Sequence, residues 1–194
     1  MVPGRAFEVA DCERCPALVE SRSRIVNGVG PVEADLLFVG EGPGEQEDAQ
    51  GEPFVGRSGA VLDEALREHG LGRADVRITN CVKCRPPENR DPTADELANC
   101  RDYLEAEIDA VDPAVVVALG KVPAEHLLGR PVAVTSEAGT VERAPLGGAD
   151  RDVLVCVHPA ASLYDPDQRE TLDRALAKAS TMAGSGGQSR LGDF

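Results

Sequence analysis

The sequence predicts an α/β protein, a three-layer α/β/α arrangement around a central, mostly parallel, four-stranded sheet. Four short segments read as its strands: DLLFVG (35–40), a near-continuous apolar run of the kind that suits burial on both faces, DVRITN (75–80), AVVVALG (114–120) and DVLVCVHP (152–159). Between and after them lie segments with apolar residues at helical spacing, and such alternation folds into a parallel sheet with helices on both sides. The length of 194 residues supports one sizeable core and one domain.

Residues 1–34 read as an irregular, loop-rich arm that carries Cys12 and Cys15 near its head. The first strand, DLLFVG, runs into the glycine-rich stretch GEGPGEQED (40–48). Beyond the loop GEPFVGRSG, residues Val61, Leu62, Ala65 and Leu66 mark a helix that ends in glycine. DVRITN is the second strand, followed by the proline-rich loop CRPPENRDPT (84–93). Thr93 or Asp95 is placed to cap the helix over TADELANCRDYLEAEIDAV. AVVVALG gives the third strand, with a short helix near VPAEHLLG behind it. The stretch VAVTSEAGTVERAPLGG reads as a hairpin or meander, DVLVCVHP as the last strand and DPDQRETLDRALAKAS as the closing helix. The domain is expected to span 1–182, and the glycine- and serine-rich residues 183–194 to form a disordered tail.

Net charge is −14, and only three lysines stand beside seventeen arginines. This composition fits an acidic, solubilising surface and adaptation to high salt. It argues against broad nucleic-acid binding without excluding a local basic face. No apolar run approaches the roughly 18–20 residues of a membrane helix, and the first residues lack a basic stretch followed by an apolar one. A soluble, cytoplasmic, monomeric protein with no membrane partner is expected.

Ligands of such sheets bind beyond the carboxyl ends of the strands. Three strands end in polar or glycine-rich text, at GEGPG, at Asn80 and at His158 in HPAAS. The glycines of the first loop permit close backbone approach, but the loop lacks the lysine and spacing of a phosphate loop. Its acids suit a neutral ligand carrying N–H donors better than a phosphate, although a tight turn with solvated acids is the plainer alternative. Phe54 is either a core plug or a stacking platform for a flat ligand. Asn80 either makes a local turn or offers its amide to the N–H and C=O edge of a pyrimidine. His158, more often a structural hydrogen bonder, could donate from a neutral imidazole to charge developing on a leaving group.

Six cysteines are present, and C-x-x-C spacing in a cytosolic chain favours metal or redox work over disulfides. Partners for Cys12 and Cys15 are Cys81 with Cys84, or Cys84 with Cys100; Cys81 continues a strand, so Cys84 is the safer ligand. Cys156 reads as a small buried hydrophobe. Spacing alone does not separate zinc from an iron–sulfur cluster.

In this order and spacing, the set resembles the family 4 uracil-DNA glycosylases, the iron–sulfur type, over roughly residues 10–180. The resemblance rests on the first C-x-x-C, GEGPGEQED, GEPFVGRSG, ITNCVKCRPPENRDPT, the cysteine of ELANCRDYL, and HPAAS. It implies a [4Fe–4S] cluster on Cys12, Cys15, Cys84 and Cys100, with zinc the alternative. It also implies hydrolysis of the N-glycosidic bond of deoxyuridine in DNA. Phe54 then stacks on the flipped uracil, Asn80 reads its edge, His158 stabilises the leaving uracil anion, and Gly40 and Gly42 shape the pocket. Glu41 or Glu47 would favour the cationic sugar or orient water, since Gly42 stands where other uracil glycosylases carry an aspartate. After HP the chain departs from the bacterial pattern, and Leu163 is expected to be the wedge that fills the vacated stack. Arg85 and Arg90 are the arginines expected to hold DNA. The rival readings are a non-catalytic nucleic-acid-binding module organised by a metal cluster, and a zinc-stapled hydrolase of small nucleotides.

Overall fold

The computed structural model describes residues 7–186. Its centre is a five-stranded sheet built from β1 (Leu36–Gly40), β2 (Arg77–Asn80), β3 (Val115–Leu119), β4 (Val141–Leu146) and β5 (Ala149–Cys156), in the order β2-β1-β3-β5-β4. The four strands expected from these segments are mutually parallel. The sheet is nevertheless one strand larger than expected, because VERAPL pairs antiparallel with β5 from Val141↔Leu154 to Leu146↔Ala149. Gly147 and Gly148 make the two-residue turn, with Gly147 in the left-handed region at φ 64°. As an edge strand β4 tolerates Pro145 and exposed charges, so it carries no apolar run to announce it.

Period-two alternation divides the core between the sheet's faces. Leu36, Phe38, Ile78, Val115, Val117 and Leu154 meet α3 (Arg57–Glu68) and α7 (Pro166–Gly186) through Leu62, Leu66, Leu172 and Leu176. Leu37, Val39, Val116, Ala118, Val153 and Val155 meet α4 (Ala94–Val111) and α5 (Lys121–Leu128) through Leu104, Ile108, Ala124 and Leu127. Each such leucine contributes about 1.5–3 kcal/mol by leaving water. The three layers are therefore those expected.

Thr93 caps α4: its Oγ1 accepts from the Glu96 amide at 3.2 Å, and Glu96 Oε2 accepts from the Thr93 amide at 2.8 Å. Three short helices were not anticipated. They are α1 (Pro16–Ser21) in the arm, α2 (Glu45–Gln50) in the first glycine-rich stretch, and α6 (Val134–Glu137). α7 continues to Gly186, four residues into the segment read as tail; residues 187–194 lie outside the described residues. Among the described residues no helix is long and apolar enough to cross a membrane.

Candidate active site

The first, second and last parallel strands deliver their ends to one place. Gly40 and Asn80 are direct partners in the β1–β2 register. Pairing continues past the strands, with the Cys81 amide donating to the Gly40 carbonyl and the Val82 amide to the Glu41 carbonyl. His158 follows β5 by two residues. Around these ends lies a cavity of about 320 Å³ lined by Glu41, Gly42, Glu47, Phe54, Asn80 and His158, together with Ser58, Asn89 and Arg90. The convergence expected from sequence is present.

Phe54 sits in the left-handed region at φ 55°, which L residues other than asparagine and aspartate seldom adopt. Arg73, paired with Asp63 at 2.7 Å, donates to the Pro53 and Phe54 carbonyls and pins that turn. Gly59, in the first turn of α3, leaves room for the Phe54 carbonyl; a Cβ there would fall 1.6 Å from it. The Phe54 ring lies 5.8 Å from the His158 ring, tilted by 31°. Gly40 supplies the clearance, since a Cβ there would fall 2.3 Å from Asn80 Oδ1 and 2.5 Å from the Phe54 ring. Asn80 is 3% exposed, and among the described residues no hydrogen bond engages its side-chain amide.

The Ala160 amide donates to His158 Nδ1 at 3.1 Å. An accepting Nδ1 carries the lone pair, so the proton of the neutral ring resides on Nε2. Burial lowers the His158 pKa, opposed by the charge of Glu47, and keeps the imidazole neutral.

The two acids differ. Glu47 accepts from the Gly44 amide at 3.1 Å through Oε2 and from the Gly56 amide at 3.2 Å through Oε1. Its carboxylate thus ties the first loop to the Phe54 loop. Glu41 is pushed up to about 7 by burial and by the charge and hydrogen bond of Asp91. Asp91 escaped the sequence reading because DPT resembles an ordinary approach to a helix cap.

Cys12, Cys15, Cys84 and Cys100 line a second, apolar hollow of about 20 Å³, together with Leu18, Lys83 and Asn99. Cys81 and Cys156 are buried elsewhere, in the two core clusters. Arg22 donates to Cys84 Sγ at 3.0 Å and to the Cys12 carbonyl at 2.8 Å. Burial pushes the Cys100 thiol up to about 11, so it would ionise only beside a cation. Among the described residues no three metal-binding side chains are close enough to hold a single ion. Four thiols converging on one apolar hollow are a donor set suited to zinc or to an iron–sulfur cluster.

Of the expected DNA-binding arginines, Arg90 is engaged by Glu96 through two contacts of 2.8 and 2.7 Å. Arg85 donates to Asn89 at 2.7 Å and lies 3.9 Å from Glu45. Leu163 packs half-buried against the core, whereas Tyr164 beside it is 78% exposed.

A fold with this pocket defines a class, and comparison with known proteins agrees: the family model described as the uracil DNA glycosylase superfamily matches residues 27–180. The chain is similar to the type-4 uracil-DNA glycosylase of Archaeoglobus fulgidus, 40% identical over 91% of this chain and 90% of the relative. It is also similar to that of Thermotoga maritima, 48% identical over 78% of each chain, and to that of Sulfurisphaera tokodaii, 38% identical over 91% of this chain and 82% of the relative. The chain belongs to the type-4 uracil-DNA glycosylases of that superfamily.

Proposed function

We propose that the chain hydrolyses the N-glycosidic bond of deoxyuridine in DNA inside the cavity beyond Gly40, Asn80 and His158, releasing uracil and leaving an abasic site. One observation carries this reading. An aromatic face, an uncommitted amide and a neutral imidazole line one cavity of about 320 Å³.

The flipped base, whose extraction costs a few kcal/mol, stacks on Phe54. Asn80 accepts from N3–H and donates to O4 of uracil. Cytosine carries an amine at position 4 and no proton at N3, so it leaves the buried amide mismatched and is rejected. As the C1′–N1 bond breaks, its electron pair passes to the base. His158 donates from Nε2–H to O2, where that negative charge collects. The sugar becomes cationic, and Glu41 in its ionised form stabilises it and orients water. The water oxygen bonds to C1′ while its proton leaves toward the carboxylate or solvent. Glu47 keeps the two loops in register.

Cys12, Cys15, Cys84 and Cys100 would hold a [4Fe–4S] cluster, which supplies a cross-link between the arm, the 84–93 loop and α4 rather than a step in hydrolysis. The residues fit it in number and in chemistry.

The test is incubation with a uracil-containing single-stranded oligonucleotide, across a range of salt, followed by alkali. Strand cleavage at uracil and not at cytosine is expected. Binding without cleavage would overturn the proposal.

A further inference from the structure

A second groove of about 330 Å³ adjoins the uracil pocket and is lined by Gln46, Glu47, Arg57, Ser58, Leu163 and Tyr164. Glu47 and Ser58 line both spaces, so the two share a rim. Tyr164 stands at this rim 78% exposed; among the described residues the other exposed large hydrophobic is Val32, at 40%. The Arg57 guanidinium lies 5.9 Å from the Tyr164 ring centroid, and its Nη1 donates to the Tyr164 hydroxyl at 3.5 Å. Arg57 makes no ion pair among the described residues, so its charge is not already spent on a carboxylate.

We infer that this groove is a subsite for the DNA base next to the flipped nucleotide in the same strand, with Tyr164 as its stacking platform and Arg57 beside the intervening phosphate. The inference rests on the reading of the main pocket as the uracil site. A nucleotide whose base is inside that pocket has neighbours that leave over its rim, and the groove is continuous with that rim. An exposed aromatic ring offers a base a π-face whatever its identity. An unpaired guanidinium beside the ring suits the phosphate that joins two nucleotides. The single negative group on the groove wall, Glu47, has both oxygens hydrogen-bonded to backbone amides, which spreads its charge away from the strand. A chain with net charge −14 gains little from long-range attraction to DNA, so contacts that do not depend on charge matter more. The subsite belongs to Tyr164 and not to Leu163, because Leu163 is already packed against the core.

The experiment uses an oligonucleotide in which 2-aminopurine flanks a 2′-fluorinated deoxyuridine that resists cleavage, and cleavable counterparts for kinetics. On the wild-type protein and on Tyr164→Phe, the 2-aminopurine fluorescence should fall as the base stacks. On Tyr164→Ala it should not, and KM should rise roughly tenfold with kcat little changed. The effect of Tyr164→Ala should persist as salt rises, whereas that of Arg57→Ala should fade, as expected of a phosphate contact. Equal quenching and equal KM in Tyr164→Ala, in an enzyme that still releases uracil, would overturn the subsite alone. A wild-type protein that releases no uracil would instead overturn the reading of the main pocket.

Discussion

Gly40→Ala is the most economical test of how the pocket is built. The methyl group would fall 2.3 Å from Asn80 Oδ1 and 2.5 Å from the Phe54 ring. Carbon atoms prefer about 3.5–4.0 Å, so the ring must retreat by about 1 Å or more. Neither neighbour yields easily. Phe54 is held at φ 55° by Arg73 and α3, and Asn80 is paired with Gly40 in the sheet. Overpacking of this kind costs about 1–3 kcal/mol. At about 2–4 °C per kcal/mol for a chain of this size, Tm should fall by roughly 2–12 °C, and the protein should remain folded at 25 °C. If Phe54 and Asn80 hold the base as proposed, displacing the ring and the amide by about 1 Å should slow single-turnover uracil release about 100-fold. The assay is rapid-quench release from a uracil oligonucleotide beside calorimetry on the same preparation. Activity within threefold of wild type, with Tm lowered as stated, would show that Phe54 and Asn80 do not act from the positions described.

Four further outcomes are expected. Glu41 titrates near 7 against an ordinary 4.5, so kcat should rise through neutral pH as the carboxylate forms, and Asp91→Asn should move that inflection to lower pH. A raised carboxylate pKa favours the folded state below about 4.5 and loses that contribution as pH climbs to about 7; the stability of Glu41→Gln relative to wild type should therefore grow over that window, and thermal melts that run parallel would refute it. Cys100→Ser should abolish the broad visible absorbance expected of an iron–sulfur centre, where wild type binds about four irons per chain; a colourless wild type with one zinc would settle against the cluster. Lys83→Met keeps side-chain volume but removes the charge 2.7 Å from Glu107 and the donor to the Asn80 carbonyl at 3.1 Å. Breaking a buried pair costs about 3–5 kcal/mol, moderated here because Arg77 still faces Glu107 at 2.8 Å; a shift in Tm below 2 °C, the least expected of about 1 kcal/mol, would contradict the pairing.

β1, β3 and β5 were legible because burial on both faces favours a run of apolar residues, although β2 buries Arg77, Thr79 and Asn80 beside Ile78. β4 was not counted, since an edge strand has one face to bury and can keep Glu142, Arg143 and Pro145. The ends of the parallel strands identified Gly40, Asn80 and His158, and the topology brought them together as the general rule for such sheets requires. What sequence could not separate was Glu41 from Glu47. Both are acids in one loop, and their difference arises from partners outside the motif, Gly56 for one and Asp91 for the other. The Glu96 partner of Arg90 was hidden for the same reason, because a loop arginine reads as free until the carboxylate beneath it is placed. Leu163 is half-buried against the core while Tyr164 is exposed, a difference that neighbouring positions in a tight turn do not reveal.

The segment from Asn80 to Cys84 shows how the two sites of the molecule depend on each other. Asn80 lines the cavity at the strand ends and Cys84 lines the cysteine hollow, with only three residues between them. Lys83, 2% exposed, reaches back to donate to the Asn80 carbonyl and to Glu107, which Arg77 and Thr79 also contact. The Lys83 carbonyl in turn accepts from the Val26 amide at 2.7 Å, joining the arm to the same strand end. Two cations thus face one buried carboxylate, leaving a surplus positive charge next to the cysteines. A buried surplus of that sign is costly alone and favourable beside thiolates bound to a metal centre. Binding such a centre would therefore steady the strand end that presents Asn80 without the centre touching the base, which is how a cross-link can matter to recognition while staying out of the chemistry.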